Sequence, residues 1–164
     1  MTTALRNLML AVLLATLGPG PAFAGQEAPA GYYADQKVAY HNAGGGPAGA
    51  AYFKRLLGNL RNHVETVGKE RVEIRVVSNG DGVALFQSAV DDGEIASRID
   101  ALKATGVRFL VCANTLRERG IDRAPLHGVG EDDPVPSGVA ELARLQGMGF
   151  AYIHQIGRAS CRER

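Results

Sequence analysis

The chain has 164 residues, 18 basic and 17 acidic, a formal net charge of +1, two cysteines and no tryptophan. That length suits one domain able to bury its own core without disulfide staples. The even charge balance excludes the basic footprint expected of a protein that binds nucleic acid or an anionic membrane surface.

Residues 1–24 combine Arg6, an apolar stretch over Leu8–Leu17, a Gly-Pro-Gly-Pro segment and Ala22-Phe23-Ala24. This is the basic, apolar and small-x-small order of a secretory signal peptide. The apolar stretch is about half the roughly 20 residues that span a bilayer, which argues against a membrane anchor. Cleavage after Ala24 is expected, giving an exported, periplasmic protein with no membrane attachment once the signal is removed. Residues 25–36 then form a polar, loose lead-in without a period.

The domain is expected over residues 37–154. Lys37–His41 (KVAYH) reads as a short strand, and Asn42–Gly46 as a glycine-rich turn. Pro47 suits the first position of a helix, in which Phe53, Leu56, Leu57, Leu60, Val64 and Val67 recur at helical spacing down to Gly68. His63, among charged neighbours, reads as a solvated residue of that helix. Arg71–Val77 is a second strand, Ser78–Gly82 (SNGDG) breaks it, and Val83–Ala89 is a short helix. Asp91 and Asp92 offer N-caps to a helix carrying Ile95, Ile99 and Leu102 and closed by Gly106.

Val107–Leu116 (VRFLVCANTL) is a short apolar run that stops at small and polar residues, the pattern of a buried parallel strand feeding a loop. It places Cys112 at a strand's carboxyl end, where open α/β sheets put their ligand sites. A helical turn is expected at Thr115–Arg119, and a weak strand at His127–Gly130 in the long loop Ile121–Pro136. Ser137 caps a last helix with Val139, Leu142, Leu145 and Met148 facing inward. Gly149 ends it, and Phe150–His154 is the final strand. Strands alternating with helices through short loops predict a parallel α/β sheet covered on both faces.

The tail Ile156–Arg164 (IGRASCRER) has no apolar period and back-translates onto a common short-read sequencing adapter. It is read as an assembly artefact, with Gln155 straddling the junction, so residues 155–164 stand outside the domain. Without Arg6, Arg158, Arg162 and Arg164 the 18 basic residues become 14; without Glu163 the 17 acidic ones become 16, a net charge of −2. Setting Cys161 aside leaves Cys112 as the one native thiol. It is then buried and inert, paired to another molecule, or chemically used.

Four sets of residues fall in loops at strand carboxyl ends: His41–Asn42, Asn79–Gly82, Cys112–Thr115 and Val135–Gly138. Cys112 is either a small buried hydrophobe or a thiolate nucleophile. Amides at Ala113–Leu116 would lower its pKa, and Arg117 or Arg119 would add positive charge. The SNGDG segment is either a turn with glycine at positive φ or a set of amides that cups an anion. It is neither a Walker nor a GxGxxG motif. His41 either orients or deprotonates the thiol or merely ends its strand. Cys112, His41 and Asp81 lack ligand-pair spacing, so no metal and no cofactor are expected. No Ser-His-Asp signature, CxxC pair or acid/base carboxylate pair is present.

The stretches KVAYH, RVEIRVVSNGDGV, VRFLVCANTL and VPSGVAELARLQGMGFAYI, in that order, resemble the DsrE/DsrF-like family of small sulfur-relay-type proteins over Lys37–Ile153. The resemblance implies a three-layer α/β/α domain with a mostly parallel five-stranded sheet, assembled as a homo-oligomer of three or six chains. It also implies that Cys112, at the matching position, accepts and passes on sulfur as a persulfide. A donor or acceptor protein or a small sulfur compound would be its partner. The residues expected around it are His41, Asn79, Gly80, Asp81, Gly82, Asn114, Thr115, Ser137 and Gly138. The alternative is a non-catalytic oligomeric module that binds a small ligand or partner and in which Cys112 is structural. A thiol-dependent redox enzyme is a third reading.

Overall fold

The computed structural model describes Pro29, residues 31–44 and residues 49–155. The expected signal peptide, Pro47 and the tail Ile156–Arg164 lie outside the described residues. The chain divides into two units, Met1–Tyr32 and Tyr33–Arg164. In the first, the Tyr32 N–H donates to the Pro29 carbonyl at 2.9 Å. In the second, β1 (Gln36–Asn42), α1 (Gly49–Val67), β2 (Val72–Ser78), a 3₁₀ turn (Gly80–Val83), α2 (Ala84–Asp91), α3 (Gly93–Ala104), β3 (Arg108–Cys112), α4 (Ala113–Glu118), β4 (Pro134–Val135), α5 (Gly138–Gly147) and β5 (Ala151–His154) follow in order.

The five strands form one all-parallel sheet in the order β4-β3-β2-β1-β5. Alternation along each strand sends successive side chains to opposite faces. Val38, Tyr40, Ile74, Val76, Phe109 and Val111 point to one face. There they meet the apolar stripes of α1, α2 and α3, together with Leu116 and Leu126. Ala39, Val77 and Leu110 point to the other, where Leu142, Leu145 and Phe150, with the partly buried Val135, pack on them. This is the expected three-layer α/β/α arrangement, with unequal layers. At about 1.5–3 kcal/mol for each large apolar side chain buried, three helices hold one face far more firmly than α5 holds the other.

The helix boundaries follow local chemistry. Asp92 caps α3, its carboxylate accepting from the Glu94 and Ile95 amides at 3.0 and 3.2 Å. Ser137 caps α5 by accepting from the Ala140 amide at 3.4 Å. The helical turn after β3 starts at Ala113 rather than Thr115, because Cys112 is itself the N-cap residue.

Three expectations are corrected. No strand forms at His127–Gly130; the fourth strand is Pro134–Val135, paired with Val111 and Cys112. The earlier segment is held by side chains instead. His127 bonds Asp100 at 3.0 Å, and the Asp133 carboxylate accepts from the Gly130 amide at 2.8 Å and from Lys103 at 3.1 Å. Proline lacks an amide hydrogen, and Pro134 is placed on an edge strand, where that loss is tolerated.

On α5, Leu142 and Leu145 are buried, but Val139 and Met148 are 68% and 51% exposed. A period of three in a helix of 3.6 residues per turn rotates by about 60° at each step, so Val139 and Met148 fall on opposite sides. His63, in turn, is half-buried rather than solvated. Its Nδ1 lies 2.8 Å from the Tyr40 hydroxyl and its Nε2 2.7 Å from Gln36 Oε1.

Candidate functional site at the strand carboxyl ends

β3 runs into α4, whose Leu116 joins the three-helix layer, whereas β4 runs into α5 in the opposite layer. Neighbouring strands whose exits diverge open a crevice between their carboxyl ends, the usual ligand position in such sheets. Cys112 and Val135 are register partners at that point. The thiol side chain is therefore placed by topology, and it is 5% exposed.

The Cys112 pKa is lowered from its ordinary value. Burial alone pushes it up, since a thiolate is poorly solvated there. The Thr115 hydroxyl and the backbone N–H groups of Gly138, Thr115 and Asn114 together outweigh burial. Thr115 is oriented for this: its oxygen accepts from the Gly80 amide at 3.0 Å, leaving its own hydrogen for the sulfur. Gly138 allows the N-terminus of α5 to close in. A β-carbon there would lie 2.9 Å from Asn79 Cβ, 3.3 Å from Cys112 Cβ and 3.5 Å from a Val77 methyl.

The arginines are engaged elsewhere. Arg117 donates to the Asn114 side-chain oxygen at 2.8 Å, and Arg119 pairs with Asp81 at 2.9 Å. Asn114 thus offers the thiol its backbone amide and not its side chain. Asp81 is turned to solvent against Arg119. Among the described residues, no three of His, Cys, Asp and Glu form a group able to hold a metal ion.

Three amides of the SNGDG turn are taken by protein acceptors. Asn79 N–H donates to the Asn42 carbonyl at 3.2 Å, Gly80 N–H to Thr115, and Gly82 N–H to the Asn79 carbonyl at 2.8 Å. Gly80 takes φ 51°, the left-handed region that suits glycine. Gly82 is pressed against Asn42, where a β-carbon would lie 1.9 Å from the backbone oxygen. Gly80 and Gly82 therefore shape the rim, their amides already taken within the protein. The fully buried Asn42 anchors them, its side-chain amide donating to Ser78 Oγ at 3.0 Å and to the Gly82 carbonyl at 2.9 Å.

His41 does not bond the thiol. Its Nε2 lies 2.9 Å from Asn79 Oδ1 and its Nδ1 2.7 Å from the Tyr152 hydroxyl. Its ring stacks on His154 with centroids 4.9 Å apart. Burial and the neighbouring His41 both lower the His154 pKa. Sequence reasoning missed Tyr152 and His154 as site neighbours. The available signal was alternation in FAYIH, which puts both on one face, and the register pairs His154 with His41.

The model of the DsrE/DsrF-like family matches residues 37–154. The solved structure of the protein of unknown function MTH1491 from Methanobacterium thermoautotrophicum is 32% identical. It superposes with a TM-score of 0.59, covering 73% of this chain and 99% of that one. Among curated proteins none matches. The sulfur-relay type of fold expected from the motifs is thus matched across the whole described domain, and the chain belongs to the DsrE/DsrF-like family.

Proposed function

We propose that this protein carries sulfur as a persulfide on Cys112. The observation that carries the reading is a buried thiol of lowered pKa whose named polar neighbours are all donors: the Thr115 hydroxyl and the amides of Asn114, Thr115 and Gly138. A site built of donors favours an anionic sulfur over a neutral thiol. Membership of a family of sulfur-relay type supports the same chemistry.

In the transfer step the Cys112 thiolate attacks a sulfane sulfur of a polysulfide. The new S–S bond to Cys112 forms as the donor's S–S bond breaks. The electron pair and negative charge leave with the shortened polysulfide, and the carried sulfur becomes the anionic end of a Cys–S–S⁻ group. The reverse attack by an acceptor thiolate passes the sulfur on. The donor and acceptor belong to the class of small sulfur compounds or thiol-bearing proteins.

The protein is further proposed to work after export to the periplasm, on the strength of the Arg6, Leu8–Leu17 and Ala22-Phe23-Ala24 pattern. It is proposed to act as a closed homo-oligomer of three or six chains. Tyr152, Val139 and Met148, large side chains left exposed on or beside the elements of the thinly covered side, suit a second copy.

The test is intact mass after exposure to inorganic polysulfide. Wild type should gain one sulfur atom per chain more than Cys112→Ser. A second reading, a binding module with a structural Cys112, is favoured by the low exposure of that thiol. It becomes the account if wild type gains no sulfur.

A further inference from the structure

Three side chains outside the thiol's own hydrogen-bond shell form a chain that ends beside it. Tyr152, on edge strand β5, lies 2.7 Å from His41 Nδ1; His41 Nε2 lies 2.9 Å from Asn79 Oδ1. Asn79 presents its oxygen to the ring, so Nε2 carries the hydrogen. In the neutral ring Nδ1 is then the acceptor, and the Tyr152 hydroxyl donates to it. Fixing the oxygen of Asn79 toward His41 leaves its amide NH₂ for another partner. That NH₂ makes no hydrogen bond with the described residues. Asn79 stands beside the thiol, since its Cβ and that of Cys112 flank the same point above Gly138 at 2.9 and 3.3 Å.

We infer that Asn79 donates to the outer sulfur of the Cys112 persulfide, and that His41 and Tyr152 are positioning residues that aim it. The inference rests on the reading of Cys112 as a sulfur carrier. The amides of α5 and α4 and the Thr115 hydroxyl serve the inner sulfur, which is present with or without cargo. The groups named as lowering the Cys112 pKa are Thr115, Gly138 and Asn114, and neither Asn79 nor His41 is among them. The side-chain donor of Asn79, not taken by a described residue, is available to the extra sulfur when it arrives.

The experiment loads the full chain with inorganic polysulfide, removes the excess, and follows loss of the added sulfur by intact mass. Cyanide is the acceptor, taking the outer sulfur as thiocyanate and returning the Cys112 thiolate. Asn79→Ala should lose sulfur about tenfold faster than wild type, the size of one hydrogen bond to a charged group. His41→Ala and Tyr152→Phe should shift the rate in the same direction. His41→Gln, whose amide can still donate to Asn79, should recover part of the loss. Alkylation of the unloaded thiol against pH should stay at the wild-type profile throughout, which a general loosening of the site would not allow. Tyr152→Phe removes only a hydroxyl from a surface side chain and keeps the test readable if Asn79→Ala folds poorly. Wild-type decay rates in Asn79→Ala and Tyr152→Phe overturn the inference while leaving the carrier reading intact. Failure of wild type to load overturns both.

Discussion

Gly138 and Cys112 meet so closely that a β-carbon on the glycine would lie 3.3 Å from that of the cysteine. This contact brings the N-terminus of α5 to the thiol, and the amide of Gly138 is among the groups that lower the Cys112 pKa. The same β-carbon would press on Asn79 at 2.9 Å. Gly138→Ala should therefore push α5 away, raise the thiol pKa and cost about 1–3 kcal/mol of stability. Iodoacetamide alkylation against pH and urea unfolding measure the two effects. An unchanged alkylation profile would show that the Gly138 amide does not hold the thiolate.

Thr115 tests the same electrostatics without altering the backbone. Thr115→Val removes the hydroxyl that reaches the sulfur and leaves the Gly80 amide without its acceptor. The Cys112 pKa should rise toward its ordinary value, and the protein should lose about 1–3 kcal/mol from the orphaned amide. Alkylation at neutral pH should slow; a rate equal to wild type would remove Thr115 from the account.

The rim of the site depends on one buried amide. Asn42→Ala removes the bonds to Ser78 and the Gly82 carbonyl, at a cost of about 1–3 kcal/mol for each group left unsatisfied. Gly82→Ala places a methyl 1.9 Å from the Asn42 carbonyl oxygen and should be at least as damaging. Urea midpoints of both variants below wild type are the expected result.

Much of this architecture was legible in the residues, and the failures have physical causes. The run RFLVC and the alternation in VEIRVVS identify β3 and β2 because strand faces repeat every second residue. α1 is legible because its apolar residues keep to one helical face. β4 is not, since a two-residue edge strand beginning with proline carries no periodic signal. Cys112 stood out as a thiol at a strand's end. Asn42 was placed at a strand's end but its anchoring role was not legible, and Tyr152 did not stand out, because their roles depend on register between strands distant in sequence. His63 misled for the same reason: its partners Tyr40 and Gln36 lie on β1, 23 and 27 positions away.

His63 also gives the fold a pH dependence of known sign. Burial lowers its pKa, so the native state prefers the neutral ring more than the unfolded chain does. Stability from this group is present above the unfolded value of about 6.5. It is lost as pH falls through the lower native value. Wild type should lose more stability than His63→Gln between pH 7.5 and 5, as read by urea midpoints. Parallel losses would show that His63 folds with an ordinary pKa.

Self-association is expected because Val139, Met148 and Tyr152, on or beside the elements of the thinly covered side, are left exposed. Light scattering at micromolar concentration should give a mass near three or six chains. Tyr152→Glu should shift it toward monomer if this side carries the contact. A monomeric wild type contradicts the expectation.

The central claim is that Cys112 accepts sulfane sulfur, and intact mass of the full chain after polysulfide treatment tests it most directly. The account predicts that wild type gains one sulfur atom per chain more than Cys112→Ser, and that cyanide removes it. No gain in wild type, or an equal gain in the variant, would contradict it.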